Sequence, residues 1–137
     1  MFDEVIVPIS SDLDIVAARQ NARSMAAKLG FAPIDQTLIA TAISELARNI
    51  VRYAQHGEIL LKVIEAKNSS RGGLMVVARD EGPGILNTQQ ALEDGYSTSG
   101  SLGLGLPGAK RLMDEFEISS AVGKGTTVTV KKWLKSL

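Results

Sequence analysis

A chain of 137 residues can bury one hydrophobic core without covalent staples and is too short for a second domain to be expected. Fifteen Lys and Arg balance fifteen Asp and Glu, so the basic field that a nucleic-acid backbone needs is missing, and no apolar run is long enough to span a bilayer. The absence of cysteine and a single histidine, His56, exclude disulfides, thiolate metal centres and His-based zinc sites.

The N-terminal Met1-Phe2-Asp3-Glu4 lacks the basic region of an export signal. The expectation is one cytoplasmic domain over residues 1–137, with neither nucleic acid nor membrane as partner.

Glu4 to Ile9 is rich in β-branched residues and carries Pro8, which suits a first strand near a sheet edge. Ser10, Ser11 and Asp12 offer helix caps. From there Ile15, Ala18, Ala22, Met25, Ala26 and Leu29 recur at helical spacing until Gly30 stops them. After Phe31-Ala32-Pro33, Asp35 can cap a long second helix ending around Gln55-His56-Gly57. Its apolar face gathers Leu38, Ile39, Ala42, Ile43, Leu46, Ile50, Tyr53 and Ala54.

Glu45 and Asn49, one turn apart, fall at the edge of that face. A carboxylate and an amide at the seam between core and solvent can look into a pocket, the first to take a proton, the second to hold a hard cation. Arg48 and Arg52 beside them stay open between phosphate, partner and solvent.

Glu58 to Glu65 and Leu74 to Arg79 read as an antiparallel hairpin about a polar turn from Lys67 to Gly73. Asp80-Glu81-Gly82-Pro83-Gly84-Ile85 then forces a tight turn at the strand end. From Leu86 to Ser101 the core pattern weakens to a short helical stretch around Gln89 to Leu92, as in a lid that closes over a ligand. Leu102 to Gly108 leads into a third helix through Ala109, Leu112 and Met113. Phe116 to Ser120 reads as a strand, Gly123-Lys124-Gly125 as a turn, and Thr126 to Trp133 as a last strand.

Gly103-x-Gly105-x-x-Gly108 satisfies the dinucleotide fingerprint in letters only, since a Ser/Gly loop precedes it and no acidic residue follows at the required distance. The phosphate-loop pattern fails at Ala109-Lys110, and the signatures of two-lobed protein kinases are missing. Nucleotide chemistry here needs another fold.

Four boxes in fixed order supply one: Glu45-x-x-x-Asn49 on a helix, Asp80-x-Gly82-x-Gly84 after a strand, Gly103-x-Gly105 opening a helix, and Gly123-x-Gly125-Thr126 before a strand. The set, spanning about residues 35 to 130, resembles the Bergerat (GHKL) nucleotide-binding superfamily of DNA gyrase, heat-shock chaperones, histidine kinases and MutL. The wording of residues 44–50 and 96–108 is similar to the switch protein-serine/threonine kinases of the RsbT type, relatives of the anti-sigma factor kinases RsbW and SpoIIAB. That resemblance implies an α+β two-layer sandwich, a mixed, mostly antiparallel sheet covered on one face by about three helices.

It also implies roles. Asp80 would accept a hydrogen bond from the adenine amino group, Gly82 and Gly84 would let the loop backbone approach the ring, and Thr126 would reach the adenine directly or through water. Asn49 would coordinate Mg²⁺ through its amide oxygen. Gly103, Leu104 and Gly105 would offer backbone N–H groups to the phosphates of ATP. Glu45 would act as the general base.

The implied activity is ATP- and Mg²⁺-dependent phosphorylation of serine or threonine on STAS-domain partners, antagonist and scaffold, in a bacterial stress-response, partner-switching (stressosome) pathway. Activation of a PP2C-type phosphatase would follow. Two alternatives stay open: an anti-sigma factor kinase of the RsbW or SpoIIAB type that also grips a sigma factor, and an ATP-binding switch module without transfer. A homodimer is equally open.

Overall fold

A computed structural model describes residues 4–67, 71–84 and 105–135. Its five strands are β1 (Glu4–Ile9), β2 (Gly57–Glu65), β3 (Gly72–Asp80), β4 (Glu115–Ala121) and β5 (Gly125–Trp133). They form one sheet in the order β1-β2-β3-β5-β4. Among the described residues every pairing is antiparallel, in keeping with the mostly antiparallel sheet expected. The reason is topological: β4 runs parallel to β3 but lies beyond β5, so the two never pair.

Three helices cover one face: α1 (Asp12–Leu29), α2 (Pro33–Asn49) and α3 (Gly105–Leu112). Alternation along the strands turns Val7, Ile9, Ile59, Leu61, Leu74, Val76, Ala78, Val128 and Val130 into that layer, where they form one core with the helices. Ala18, Ala22 and Ala26, all fully buried, give α1 the flat face that lets α2 approach closely. Among the described residues no helix is long and apolar enough to cross a membrane.

The helix ends follow local chemistry. The Asp14 carboxylate accepts the Ser10 and Ser11 backbone N–H groups at 2.9 and 3.1 Å, which closes the start of α1, and Gly30 ends it with φ 97°. α2 starts differently from expectation. Ala32 occupies the cap and Pro33 the first helical position, where its missing N–H costs nothing. Asp35 is instead buried in the first turn, near the positive end of the helix dipole.

Beyond Asn49 the helix widens into a single π turn, Ile50–Ala54, and Gln55 ends it at φ 71°. A wider turn rotates less per residue than an α-helix. Tyr53, placed on the core face by ideal helical spacing, therefore swings outward and is 50% exposed. The hairpin of β2 and β3 forms as expected, closed by the Ala66 N–H on the Arg71 carbonyl. The helical stretch at Gln89 to Leu92 and the lid from Leu86 to Ser101 lie outside the described residues.

Candidate nucleotide-binding site

β3 and β5 pair so that Asp80 stands opposite Thr126, at the end of both strands nearest the C-terminal half of α2. The two side chains open onto a cavity of about 130 Å³ between sheet and helix, with Asn49 of α2 and Gly84 of the loop after β3 on its wall. Leu46, Ile50, Ala78, Leu106 and Val128 supply apolar walls, and Tyr53 and Pro83 line it as well. A slot with aliphatic sides and a few fixed polar atoms suits a flat heteroaromatic ring.

The polar atoms are held in place. Asp80 Oδ1 accepts the Gly82 N–H at 2.9 Å, which fixes the carboxylate against its own loop. Ser120 Oγ donates to the Gly125 carbonyl at 2.9 Å and lies 2.8 Å from Thr126 Oγ1. A hydroxyl has one proton, so Thr126 donates to Ser120 and keeps its own lone pairs as acceptors. Thr126 thus presents an oxygen acceptor from the same strand end as the Asp80 carboxylate.

Two glycines let the loop after β3 and the turn before β5 touch. Gly84, at φ 77°, packs so closely on the Ala121 carbonyl that an added Cβ would lie 2.1 Å from its oxygen. Gly125, at φ 88°, lies equally close to the Asp80 carbonyl, and the Gly123 N–H donates to the Pro83 carbonyl at 2.8 Å. Gly82 is not on the cavity wall, and a Cβ there would meet Ala54 of the π turn at 2.6 Å.

Glu45 does not line the cavity either. Its side chain, 9% exposed, lies one turn before Asn49, with Oε1 2.7 Å from Arg48 Nη1 and Oε2 accepting the Gly105 N–H at 3.0 Å. The first and third boxes are therefore joined directly, and Gly105 takes up φ 44° at the first residue of α3. Gly103 and Leu104 lie outside the described residues.

The apolar walls were not singled out from the sequence, because periodicity reports that Leu46 and Ile50 are buried without saying whether protein or ligand covers them. Ser120 gave no signal in the sequence. The spacing of Glu45 and Arg48 did permit an ion pair, but the same spacing is common on solvated helix faces.

The chain matches the histidine kinase-like ATPase domain family over residues 9–132. It is 50% identical to the serine/threonine-protein kinase RsbT of Bacillus subtilis (strain 168) over 135 residues, covering 98% of this chain and 100% of that protein. It is 29% identical to the anti-sigma F factor of Thermoanaerobacter sp. (strain X514), covering 91% of this chain and 94% of that one. Among solved structures, the RsbU and RsbW domains of a Mycobacterium tuberculosis protein superpose with a TM-score of 0.63 at 19% identity. That match covers 98% of this chain and 34% of the other, and it speaks to the fold alone.

Proposed function

The chain belongs to the histidine kinase-like ATPase domain family, and on that premise we propose how this cavity serves a serine/threonine-protein kinase of the RsbT type. The observation that carries the reading is the convergence of Asn49, Asp80, Gly84 and Thr126, from three separate segments, on one apolar slot. The 50% identity over the full length of RsbT favours this type over the anti-sigma factors, which stand near 30%.

ATP enters with its adenine between the aliphatic walls. Asp80 and Thr126, both acceptors, select the exocyclic amino group of adenine, which guanine lacks at that position. Their neighbour Gly84 keeps the rim open to the ring edge.

Mg²⁺ fits the donor set. Asn49 offers a hard amide oxygen at the cavity wall, and among the described residues no cluster of three acidic or histidine side chains exists to cage a metal. A single protein oxygen plus phosphates and water is a common arrangement for this ion, which when bound neutralises phosphate charge. Asn49 therefore holds the cation side of the site, and the first turn of α3 turns its Leu106 and Gly108 N–H groups to the phosphates, the Gly105 N–H being taken by Glu45 and Pro107 having none. Glu45, one turn from Asn49, orients and deprotonates the acceptor hydroxyl.

The acceptor is a serine or threonine of a STAS-domain protein, antagonist or scaffold, in a stress-response partner-switching complex within the cytoplasm. A dianionic phosphate in a packed interface weakens it by repulsion and desolvation, so transfer releases the kinase to a PP2C-type phosphatase. The test is transfer of radiolabelled γ-phosphate from ATP to a purified STAS-domain protein. Labelled serine or threonine is the expected result. Tight nucleotide binding with no phosphoprotein would leave a switch module in place of a kinase.

A further inference from the structure

On α2, at about 100° per residue, Asn49 stands roughly 40° round the axis from Glu45 on one side and Arg48 roughly 60° on the other. The outer two side chains diverge. Asn49 faces the nucleotide cavity, whereas Arg48 lines a separate groove of about 400 Å³ between α1 and the end of α2, beside Val16 and Arg19. Glu45 lines neither space, and its buried carboxylate touches Arg48 with one oxygen and the Gly105 amide with the other.

We propose that Arg48 is the positioning residue of Glu45, fixing the carboxylate from the side away from the nucleotide; this rests on the reading of Glu45 as the base. A carboxylate with 9% of its side chain exposed needs a compensating charge, and the Arg48 guanidinium supplies it at 2.7 Å. With Oε1 held there, Oε2 stays on the Gly105 N–H, and the plane of the carboxylate is set relative to α3. Without Arg48 the side chain is free to rotate toward the groove and water. Because Arg48 reaches the base from outside the cavity, it acts on catalysis without touching ATP.

The experiment compares Arg48→Ala, Arg48→Lys, Glu45→Gln and the double variant Glu45→Gln/Arg48→Ala in the full chain, with ATP and a purified STAS-domain protein. Arg48→Ala is expected to lower kcat about 10- to 100-fold, as a misplaced catalytic group does, while KM for ATP and its calorimetric Kd stay unchanged. Arg48→Lys is expected to recover part of the loss, since it restores the charge without the planar fork.

In the Glu45→Gln background Arg48→Ala is expected to cost nothing more, because the group it positions has gone. That double variant also buries no uncompensated charge, which keeps the comparison readable if Arg48→Ala unfolds. Multiplicative losses in the double variant, an unchanged kcat in Arg48→Ala, or a raised KM for the acceptor with kcat intact would each overturn the proposal. Full transfer by Glu45→Gln alone would instead overturn the base assignment beneath it.

Discussion

Glu45 Oε2 and the Gly105 N–H meet at 3.0 Å across 60 residues of chain, so the residue read as the base also anchors the start of α3. The two tasks are separable by substitution. Glu45→Gln keeps a side-chain oxygen for Gly105 but loses the basic carboxylate, and ATP affinity should persist while transfer falls by about 10²- to 10⁴-fold. Glu45→Ala removes both, and its melting temperature should fall below that of Glu45→Gln. Calorimetry with ATP and thermal melts of the two variants check this.

Asn49 is expected to matter only when the metal is present. Asn49→Ala removes the one side-chain amide oxygen that the described residues place at the cavity wall, and the gain in ATP affinity on adding Mg²⁺ should disappear. Affinity for metal-free ATP should change little. Titrations with and without EDTA distinguish the two, and a variant that keeps its Mg²⁺ dependence would remove Asn49 from the metal site.

Asp80→Asn tests base selection without disturbing the loop. The Asn oxygen can still accept the Gly82 N–H that Oδ1 now accepts at 2.9 Å, so the turn should survive. The other atom becomes an NH₂ donor facing the donor amino group of adenine. Leaving that pair unsatisfied costs roughly 1–3 kcal/mol, so ATP should bind about 5- to 150-fold more weakly, with the melting temperature nearly unchanged. Equal affinity in the two proteins would mean that Asp80 does not read the ring.

Much of this was legible in the sequence, and the exceptions share a cause. Asn49, Asp80, Gly84 and Thr126 carry polar or conformational demands that show as residue types at fixed spacing, and all four line the cavity. Gly82 fits the same pattern but lies against Ala54, since a glycine in a loop does not announce what it approaches.

The π turn at Ile50–Ala54 left no trace in the letters. It is set by the packing around it, and it is what turns Tyr53 from the expected core to the cavity edge. Asp35 was expected to cap α2 because its side chain can do so, yet Pro33 two residues earlier already fixes a helical φ. The sheet order likewise depended on which partner β5 found, a long-range choice that no local pattern records.

Gly125 and Gly123 offer a matched pair for the turn before β5, since both have positive φ but only Gly125 is crowded. Gly123→Ala meets no atom within 4 Å and should cost only the left-handed backbone penalty, roughly 1–2 kcal/mol. Gly125→Ala adds a methyl 2.1 Å from the Asp80 carbonyl oxygen and must push β3 and β5 apart beside the cavity. It should lose more stability than Gly123→Ala and weaken ATP binding as well. Urea unfolding followed by Trp133, the single tryptophan, gives the first quantity and calorimetry the second. Equal stability losses would show that the strand ends yield without strain.

Asp14 gives the fold a pH dependence of known sign. Its carboxylate accepts from the Ser10 and Ser11 backbone N–H groups and from both hydroxyls, and these bonds, the Ser10 N–H first, hold its pKa below the ordinary 3.8. A group whose pKa is lower in the folded state stabilises that state above its unfolded pKa, and the contribution is lost as pH falls through the folded value. Asp14→Ala should therefore melt a few degrees below the parent protein at neutral pH. The gap should hold down to mildly acidic pH and narrow below about 3.8, where the parent loses the charge that the variant never had. Circular dichroism melts across that range measure it, and a gap independent of pH would assign the effect of Asp14 to helix propensity rather than to its bonds with Ser10 and Ser11.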